Sequence, residues 1–277
     1  MKPELLVYGA GKVGRVFAAK LGAAGYVTKL RADRRGLPRR SDAQTLILCV
    51  RDARVAPLAQ QLAQVDWVLG VRCVLHVSGA LSPAVLAPLR RRGTARAPAL
   101  HVGQLHPMLS IASARKPPSL GGAHALVAGD AAAVRQAKAL AAAMGLVPRA
   151  WHGVDPALYH AAAALVANGS AALASVGAEV LVASGVDRRH VAQVLGPLLV
   201  SVGENLRSLG LPGALTGPVR RGGHAVIAAH LSALRRSVPQ AARLYQALAR
   251  AQLPLARELG EASLNDLKHI ERLLGKR

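Results

Sequence analysis

Three glycines near the start of the sequence have the spacing of a turn that binds phosphate groups. Gly9, Gly11 and Gly14 complete the pattern G-x-G-x-x-G, directly after an apolar run that predicts a strand and directly before residues with helical periodicity. In this context Gly9 permits the tight turn, Gly11 lets a pyrophosphate approach the backbone, and Gly14 lets the helix pack on the strand. The helix N-terminus supplies N–H donors for the anion. The sequence therefore predicts a dinucleotide site that includes Lys12 and Val13, with a glycine turn that binds nothing as the alternative.

Charged residues at the end of the second predicted strand indicate which dinucleotide fits. Sites for NAD place an acid here to bind the ribose hydroxyls, whereas arginine pairs with the 2′-phosphate of NADP. This chain has Arg31 and Arg34 on either side of Asp33. We therefore expect NADP as the cofactor, and Asp33 keeps NAD as the alternative. Arginines of a solvated loop in an arginine-rich chain are the other interpretation.

Polar side chains also follow the next three predicted strands. The third strand ends at Val50 and is followed by Arg51, Ser78 follows the fourth strand, and His106 follows the fifth. Ligands of open parallel sheets bind beyond the carboxyl ends of the strands, so we expect Val50 and Arg51 beside the cofactor and Ser78 and His106 beside the reacting group. Ordinary loop capping is the alternative for the last two residues.

A long alanine-rich helix in the second half carries two polar groups on one face. His160 and Asn168 are eight residues apart with Ala164 midway, so the three residues share a helix face. Histidine is a common proton donor near neutral pH, which makes His160 a catalytic candidate. A solvated or structural histidine is the alternative, and Tyr159 is a second candidate donor that points one helical step away.

The elements that must position these residues change character near residue 151. Strands alternate with helices in residues 1–150, which predicts an α/β fold with a doubly wound parallel sheet of the Rossmann type. Residues 151–277 read as helices only, which predicts an all-α second domain. The most apolar stretch, residues 157–184, contains His160, Asn168 and Glu179, so we interpret it as a buried helix rather than a membrane span.

Composition excludes several other classes of protein. The chain has 36 basic and 14 acidic residues, a formal net charge of +22, but only 3% aromatic residues, so it lacks the stacking platforms of nucleic-acid-binding proteins. The two cysteines lie in apolar runs and form neither a disulfide framework nor a metal cluster with histidines. We therefore expect a cytoplasmic protein without metal, nucleic acid or membrane partners.

Together these motifs resemble the predicted oxidoreductases that join a Rossmann-like domain to a helical domain of unknown function of the 2520 type. The resemblance covers nearly the whole chain and rests on residues 9–14, 76–82, 105–107, 159–163, Asn168 and 215–222. The layout is more distantly similar to ketopantoate reductase, pyrroline-5-carboxylate reductase and the β-hydroxyacid dehydrogenases. These similarities imply a second domain of the 6-phosphogluconate dehydrogenase C-terminal type, which usually pairs two subunits into a homodimer.

The resemblance also implies roles for particular residues. His160 would occupy the position of the catalytic lysine of the keto-acid enzymes, and Asn168 that of their asparagine. Ser78 and His106 would anchor the substrate, while Thr216 and Arg220 would close over a carboxylate. The implied activity is an NADPH-dependent reduction of a C=O or C=N group of a small anionic substrate in an interdomain cleft. Because the lysine is missing, a non-catalytic NADP-binding sensor or regulatory protein is the alternative.

Overall fold

The computed structural model describes residues 4–94 and 97–275, and the chain divides into two compact units between Asn168 and Gly169. The last strand of the first unit ends at Arg149, close to where the sequence predicts the change from strands to helices. The next helix, Pro156–Ala163, also belongs to the first unit, which ends at Asn168.

The first unit is built on one seven-stranded sheet with the order β2-β1-β3-β4-β5-β6-β7. All neighbouring strands are parallel except β5 and β6, which are antiparallel. This arrangement confirms the predicted α/β class. The strands are β1 Leu5–Tyr8, β2 Thr28–Arg31, β3 Thr45–Leu48, β4 Cys73–His76, β5 His101–Pro107, β6 His124–Gly129 and β7 Val147–Arg149.

Helices cover both faces of this sheet. Phe17, Leu21 and Leu140 belong to the hydrophobic cluster on one face, and Leu58 and Leu86 to the cluster on the other. The helices are α1 Lys12–Ala23, α2 Asp52–Leu62, α3 Ala131–Ala143 and α4 Pro156–Ala163, joined by 3₁₀ segments Asp33–Arg35, Asp66–Gly70 and Pro83–Leu89. The sequence predicts a helix over residues 82–91, but two prolines without N–H donors, Pro83 and Pro88, leave only a 3₁₀ segment there.

The second unit contains helices only, as predicted. They are α5 Gly169–Ala183, α6 Val191–Gly213, α7 His224–Ser237, α8 Pro239–Leu259 and α9 Leu264–Leu273. Ile227, Leu253 and Ile270 form the centre of a core between the last three. Periodicity in the sequence predicts separate helices over residues 239–251 and 254–273. This boundary is wrong, because α8 continues to Leu259 and ends at Gly260, which has a left-handed φ of 71°.

The prediction that residues 157–184 form a buried helix is also wrong for the chain by itself. The helical stretch Pro156–Ala183 has a mean hydropathy of 1.5 and none of it is buried. By length and composition it could cross a membrane, which on its own is weak evidence that it does. α6 is similar, since Val191 is its only buried residue within the chain. Alanine-rich periodicity predicts an apolar surface but not which molecule covers it.

Candidate active site

The glycine turn between β1 and α1 has the geometry that its sequence predicts. Gly9 has a φ of 110°, and a Cβ atom there would lie 2.2 Å from the carbonyl oxygen of Cys49. A Cβ atom at Gly14 would lie 1.8 Å from the carbonyl oxygen of Gly9, so α1 packs closely against the turn. Gly11 is different, because nothing lies within 4 Å of its Cβ position. Gly11 is also the N-cap of α1 and no side chain caps this helix, which leaves its first N–H groups for an anion.

A cavity of about 600 Å³ opens in front of this turn. It is lined by five of the predicted cofactor residues together with Arg15, Asp33 and Arg54; the five are Gly9, Gly11, Arg34, Val50 and Arg51. Lys12 and Val13 begin α1, and Gly14 packs behind the turn. The structure therefore gathers most of the predicted cofactor residues around one basic cavity at the carboxyl edge of the sheet.

Arg31 is directed elsewhere. Its Nε donates to the carbonyl oxygen of Gly36 at 2.6 Å, and its Nη2 donates to those of Arg35 and Leu37 at 2.8 and 3.4 Å. The guanidinium thus braces the loop after β2 and does not line the cavity. Its predicted role toward a cofactor stays a prediction, and Arg34 is the better placed of the two arginines.

Sequence reasoning missed Arg15 and Arg54. Arg54 Nε lies 3.4 Å from a carboxylate oxygen of Asp33, so an acid that would repel a 2′-phosphate is paired with a cation. The sequence could have predicted both residues. Each arginine lies in the first turn of a helix that follows a strand of the parallel sheet, and these helix starts meet at the carboxyl edge of the sheet.

A second cavity, of about 480 Å³, lies beyond the end of β5 and is lined by His106, His160 and Asn168. Asp155 caps α4 by accepting hydrogen bonds from the N–H groups of Ala157 and Leu158. The sequence Asp155-Pro156 predicts this helix start, with aspartate as the N-cap and proline as the first helical residue. His160 therefore lies one turn into the helix. The helix then widens into a π-helical turn, Ala164–Asn168. Turns of this kind are frequent at functional sites.

Two imidazole rings lie edge to face in this cavity, on either side of Gly79. The ring centroids of His106 and His160 are 6.1 Å apart with an interplanar angle of 78°. A Cβ atom at Gly79 would lie 2.7 Å from both His106 Nε2 and His160 Nδ1, so a larger residue at position 79 would displace a ring from this arrangement. Tyr159 approaches His106 from the other side, with 3.3 Å between its hydroxyl oxygen and His106 Nδ1. Sequence reasoning missed Gly79, which resembled an ordinary loop glycine.

Burial keeps the rings on β4 and β5 neutral. Desolvation, with a smaller contribution from the nearby charge of His160, lowers the pKa of His106 to about 4. Desolvation also lowers the pKa of His76 to about 4, an effect that the backbone of Ser82 and the carboxylate of Asp52 partly offset. His76 is fully buried; the backbone of Ser82 lies near its ring, but neither ring nitrogen makes a well-aligned hydrogen bond among the described residues.

Ser78 is buried and does not line the cavity of His106 and His160, here called the two-histidine cavity. Its hydroxyl accepts a hydrogen bond from the N–H of Ala80 at 3.2 Å, and its carbonyl accepts one from Gln104 Nε2 at 2.6 Å. In the free protein Ser78 therefore shapes the loop that carries Gly79.

Thr216 and Arg220 lie in the second unit, in the segment between α6 and α7. Arg220 forms an ion pair with Glu261, with nitrogen to oxygen distances of 2.6 and 2.9 Å. Its remaining terminal nitrogen donates to the carbonyl oxygens of Gly213 and Leu215 at 3.3 and 2.7 Å. The guanidinium expected to bind a substrate carboxylate is thus engaged within its own unit.

Comparison with known proteins identifies two domains in this chain. Residues 32–102 match the Rossmann-like domain, and residues 123–252 match the domain of unknown function DUF2520. The predicted pairing of a Rossmann-like domain with a helical domain of unknown function is confirmed. Comparison with curated proteins gives no match.

Solved structures share this fold at low sequence identity. A candidate NADP oxidoreductase from Bacteroides fragilis is 20% identical, with 91% of this chain and 98% of that chain covered and a TM-score of 0.67. A Thermotoga maritima protein is 19% identical, with 92% and 98% covered and a TM-score of 0.69. Pyrroline carboxylate reductase from Plasmodium falciparum, solved with NADP bound, is 12% identical, with 93% and 99% covered and a TM-score of 0.56.

Proposed function

We propose that this protein is an NADPH-dependent reductase that acts on a C=O or C=N group of a small molecule. The observation that carries the proposal is the basic cavity in front of the glycine turn, where α1 offers uncapped N–H groups. The two-histidine cavity lies at the carboxyl edge of the same sheet, where open parallel sheets bind ligands. The names of several solved structures with this fold, such as the reductive aminase from Aspergillus terreus in complex with NADPH, support the cofactor.

Each group of residues has a separate task in this reaction. The glycine turn would bind the pyrophosphate, and Arg34 would pair with the 2′-phosphate, with Arg51 and Arg54 nearby. The bound nicotinamide supplies the hydride. His160 would donate a proton to the substrate atom that gains negative charge, and Asn168 would orient that atom. His106, neutral because of burial, would act as a hydrogen-bonding group held in place by Tyr159.

Titration with NADPH and NADH tests the cofactor assignment. We expect NADPH to bind more tightly, and Arg34→Ala to weaken NADPH binding by about 10- to 100-fold without changing NADH binding, because one charge-assisted contact to the 2′-phosphate is lost. Thermal stability and cofactor fluorescence report both dissociation constants. Arg39→Ala removes an exposed arginine outside the cavity and serves as the control. Equal loss of both cofactors in Arg34→Ala would contradict the assignment.

Replacement of His160 tests the proton donor. We expect His160→Gln to lower kcat by about 100-fold while the dissociation constant of NADPH stays unchanged, since only proton transfer is removed. The matched control is His152→Gln, which alters an exposed histidine that does not line the two-histidine cavity. Unchanged kcat in His160→Gln would remove this residue from the mechanism.

A second candidate function is an NADP-binding sensor without turnover. The residues of α4 and the π-helical turn include no lysine, whereas the keto-acid enzymes that this chain resembles use one there. Tight NADPH binding together with no oxidation of NADPH by any ketone or imine would favour the sensor.

We also propose a homodimer that pairs through the helical unit. Five exposed apolar residues recur along one side of α6, at positions 194, 198, 202, 206 and 209, and such a stripe needs a partner in water. Sedimentation at micromolar concentration should give a dimer, and Leu198→Glu combined with Val202→Glu should give a monomer. Arg243→Glu on the exposed side of α8 is the control. A monomeric native chain, or one recovered with membranes, would contradict this prediction.

We assign the protein to the cytoplasm with a small-molecule substrate as its other partner. Cys49 and Cys73 are free thiols, which suits a reducing compartment.

A further inference from the structure

The described residues that line the two-histidine cavity are mostly apolar, which is unusual for a site that binds an anion. Among the described lining residues there is no lysine, arginine, aspartate or glutamate. The polar groups are His106, Ser110, His160 and Asn168. The remaining lining residues are apolar: Pro107, Met108, Leu109, Ala162, Ala163, Ala164, Val166 and Ala167.

Neither histidine provides a lasting counter-ion for a substrate carboxylate. Burial lowers the pKa of His106 to about 4, so this ring is uncharged at neutral pH. The proton that His160 donates leaves with the product, so any positive charge on that ring is lost during the reaction. A carboxylate in the cavity would then lie beside apolar groups and lose part of its hydration without gaining a charged partner, which is unfavourable.

The arginine expected to neutralise a carboxylate is committed elsewhere. Arg220 pairs with Glu261 through two short contacts and donates to two backbone carbonyl groups. Releasing this guanidinium for a substrate would leave the Glu261 carboxylate without its partner. The described contacts of Arg220 therefore give no support for an anionic substrate.

We infer that the substrate is a neutral, largely apolar ketone or aldehyde rather than a keto acid. This inference rests on the proposed reductase function. A cavity of about 480 Å³ is within the range of small-molecule sites. A protonated imine would lack an acidic partner among the described lining residues, so the same argument favours C=O over C=N. The carbonyl carbon gains a hydride from reduced nicotinamide and the carbonyl oxygen gains a proton from His160, which yields an alcohol and oxidised nicotinamide; solvent then reprotonates His160.

Pairs of ketones that share the carbonyl end of the molecule, one neutral and one with a carboxylate at the other end, test this inference on the full chain. Ethyl levulinate and levulinate share one ketone, and 2-octanone and 7-oxooctanoate form a longer pair. With NADPH, we expect kcat/KM for the neutral member to exceed that of the acid by about 100-fold in each pair, because the acid must lose water without gaining a counter-ion. The net charge of +22 attracts anions, so this preference would run against the overall field of the protein.

A binding measurement separates failure of this inference from failure of the proposed function. The same pairs are added to the protein saturated with NADP⁺, and the rise in the unfolding temperature reports binding without turnover. Stabilisation by the neutral members alone, without NADPH oxidation, would show that the cavity prefers neutral ligands but would overturn the reductase proposal and the reduction step. Equal or greater binding or turnover of the acids, or no response to any neutral ketone, would overturn the inference.

A charge placed in the cavity provides the matched variant. Val166 lines the cavity and is 68% exposed, so the fold tolerates a longer side chain there. Val166→Lys should lower the ratio of neutral to acid kcat/KM by about 10-fold, and Val166→Met, of similar length but uncharged, should keep it. An unchanged ratio in Val166→Lys would contradict the electrostatic argument.

Discussion

Gly11→Ala is expected to weaken NADPH binding by about 100-fold while leaving the unfolding temperature of the free protein unchanged. The added methyl group meets nothing within 4 Å, and the backbone of Gly11, with φ −72° and ψ −170°, is extended and suits any residue. The methyl group would, however, stand where the pyrophosphate approaches the N–H groups of α1, so more than one charge-assisted hydrogen bond would be lost. Fluorescence titration and thermal unfolding measure the two quantities on one preparation.

Two other glycines of the same segment provide the controls. Gly22→Ala also meets nothing within 4 Å and lies inside α1, so it should raise the free energy of unfolding by about 0.5–1 kcal/mol and leave NADPH binding unchanged. Gly14→Ala should destabilise the fold itself, since its Cβ would lie 1.8 Å from a carbonyl oxygen. Wild-type NADPH affinity in Gly11→Ala would show that the turn is not the pyrophosphate site.

His76→Leu is expected to make the protein more resistant to acid. The pKa of His76 in the folded state is lowered to about 4 by burial, whereas an unfolded histidine has a pKa near 6.5. Between these values the unfolded state binds more protons, so the free energy of unfolding falls as the pH falls, by up to ~3 kcal/mol in total. Leucine does not titrate, and it replaces a ring whose nitrogens are buried without partners, so stability at pH 7 should be equal or higher.

Urea unfolding at pH values on both sides of this window measures the effect. The wild-type chain should lose stability steadily on acidification below about pH 6.5, and His76→Leu should lose less because only His106 retains a similarly lowered pKa. His190→Leu changes an exposed histidine and should leave the slope unchanged. If the free energy of unfolding fell as steeply with acidification in His76→Leu as in the wild type, the assignment of this ring as neutral and buried would be contradicted.

The sequence predicted the sheet and the glycine turn because both depend on local patterns. Apolar runs marked the buried parallel strands, and the spacing of glycines marked the turn in which Gly9 has a positive φ. The position of His106 after a strand predicted it as a site residue, since strand ends meet at the carboxyl edge of the sheet. The expectation that His160 belongs to the same site came instead from the family resemblance.

Features that depend on side-chain partners were not predictable in this way. The choice between Arg31 and Arg34 is set by the backbone of residues 35–37, whose carbonyl groups attract the Arg31 guanidinium. The π-helical turn at Ala164–Asn168 leaves no mark in a stretch where most residues are alanine. Whether the apolar face of α6 is buried depends on a partner molecule, and local sequence patterns do not reveal that partner.

The glycine between the two imidazoles limits how this site can change over evolutionary time. Because a methyl group at position 79 would lie 2.7 Å from a nitrogen of each ring, any descendant that keeps both histidines in this arrangement must also keep Gly79. A lineage that loses either ring is released from only half of the constraint. A glycine at position 79 is therefore expected wherever related sequences keep both histidines, and this association is the trace that the geometry would leave.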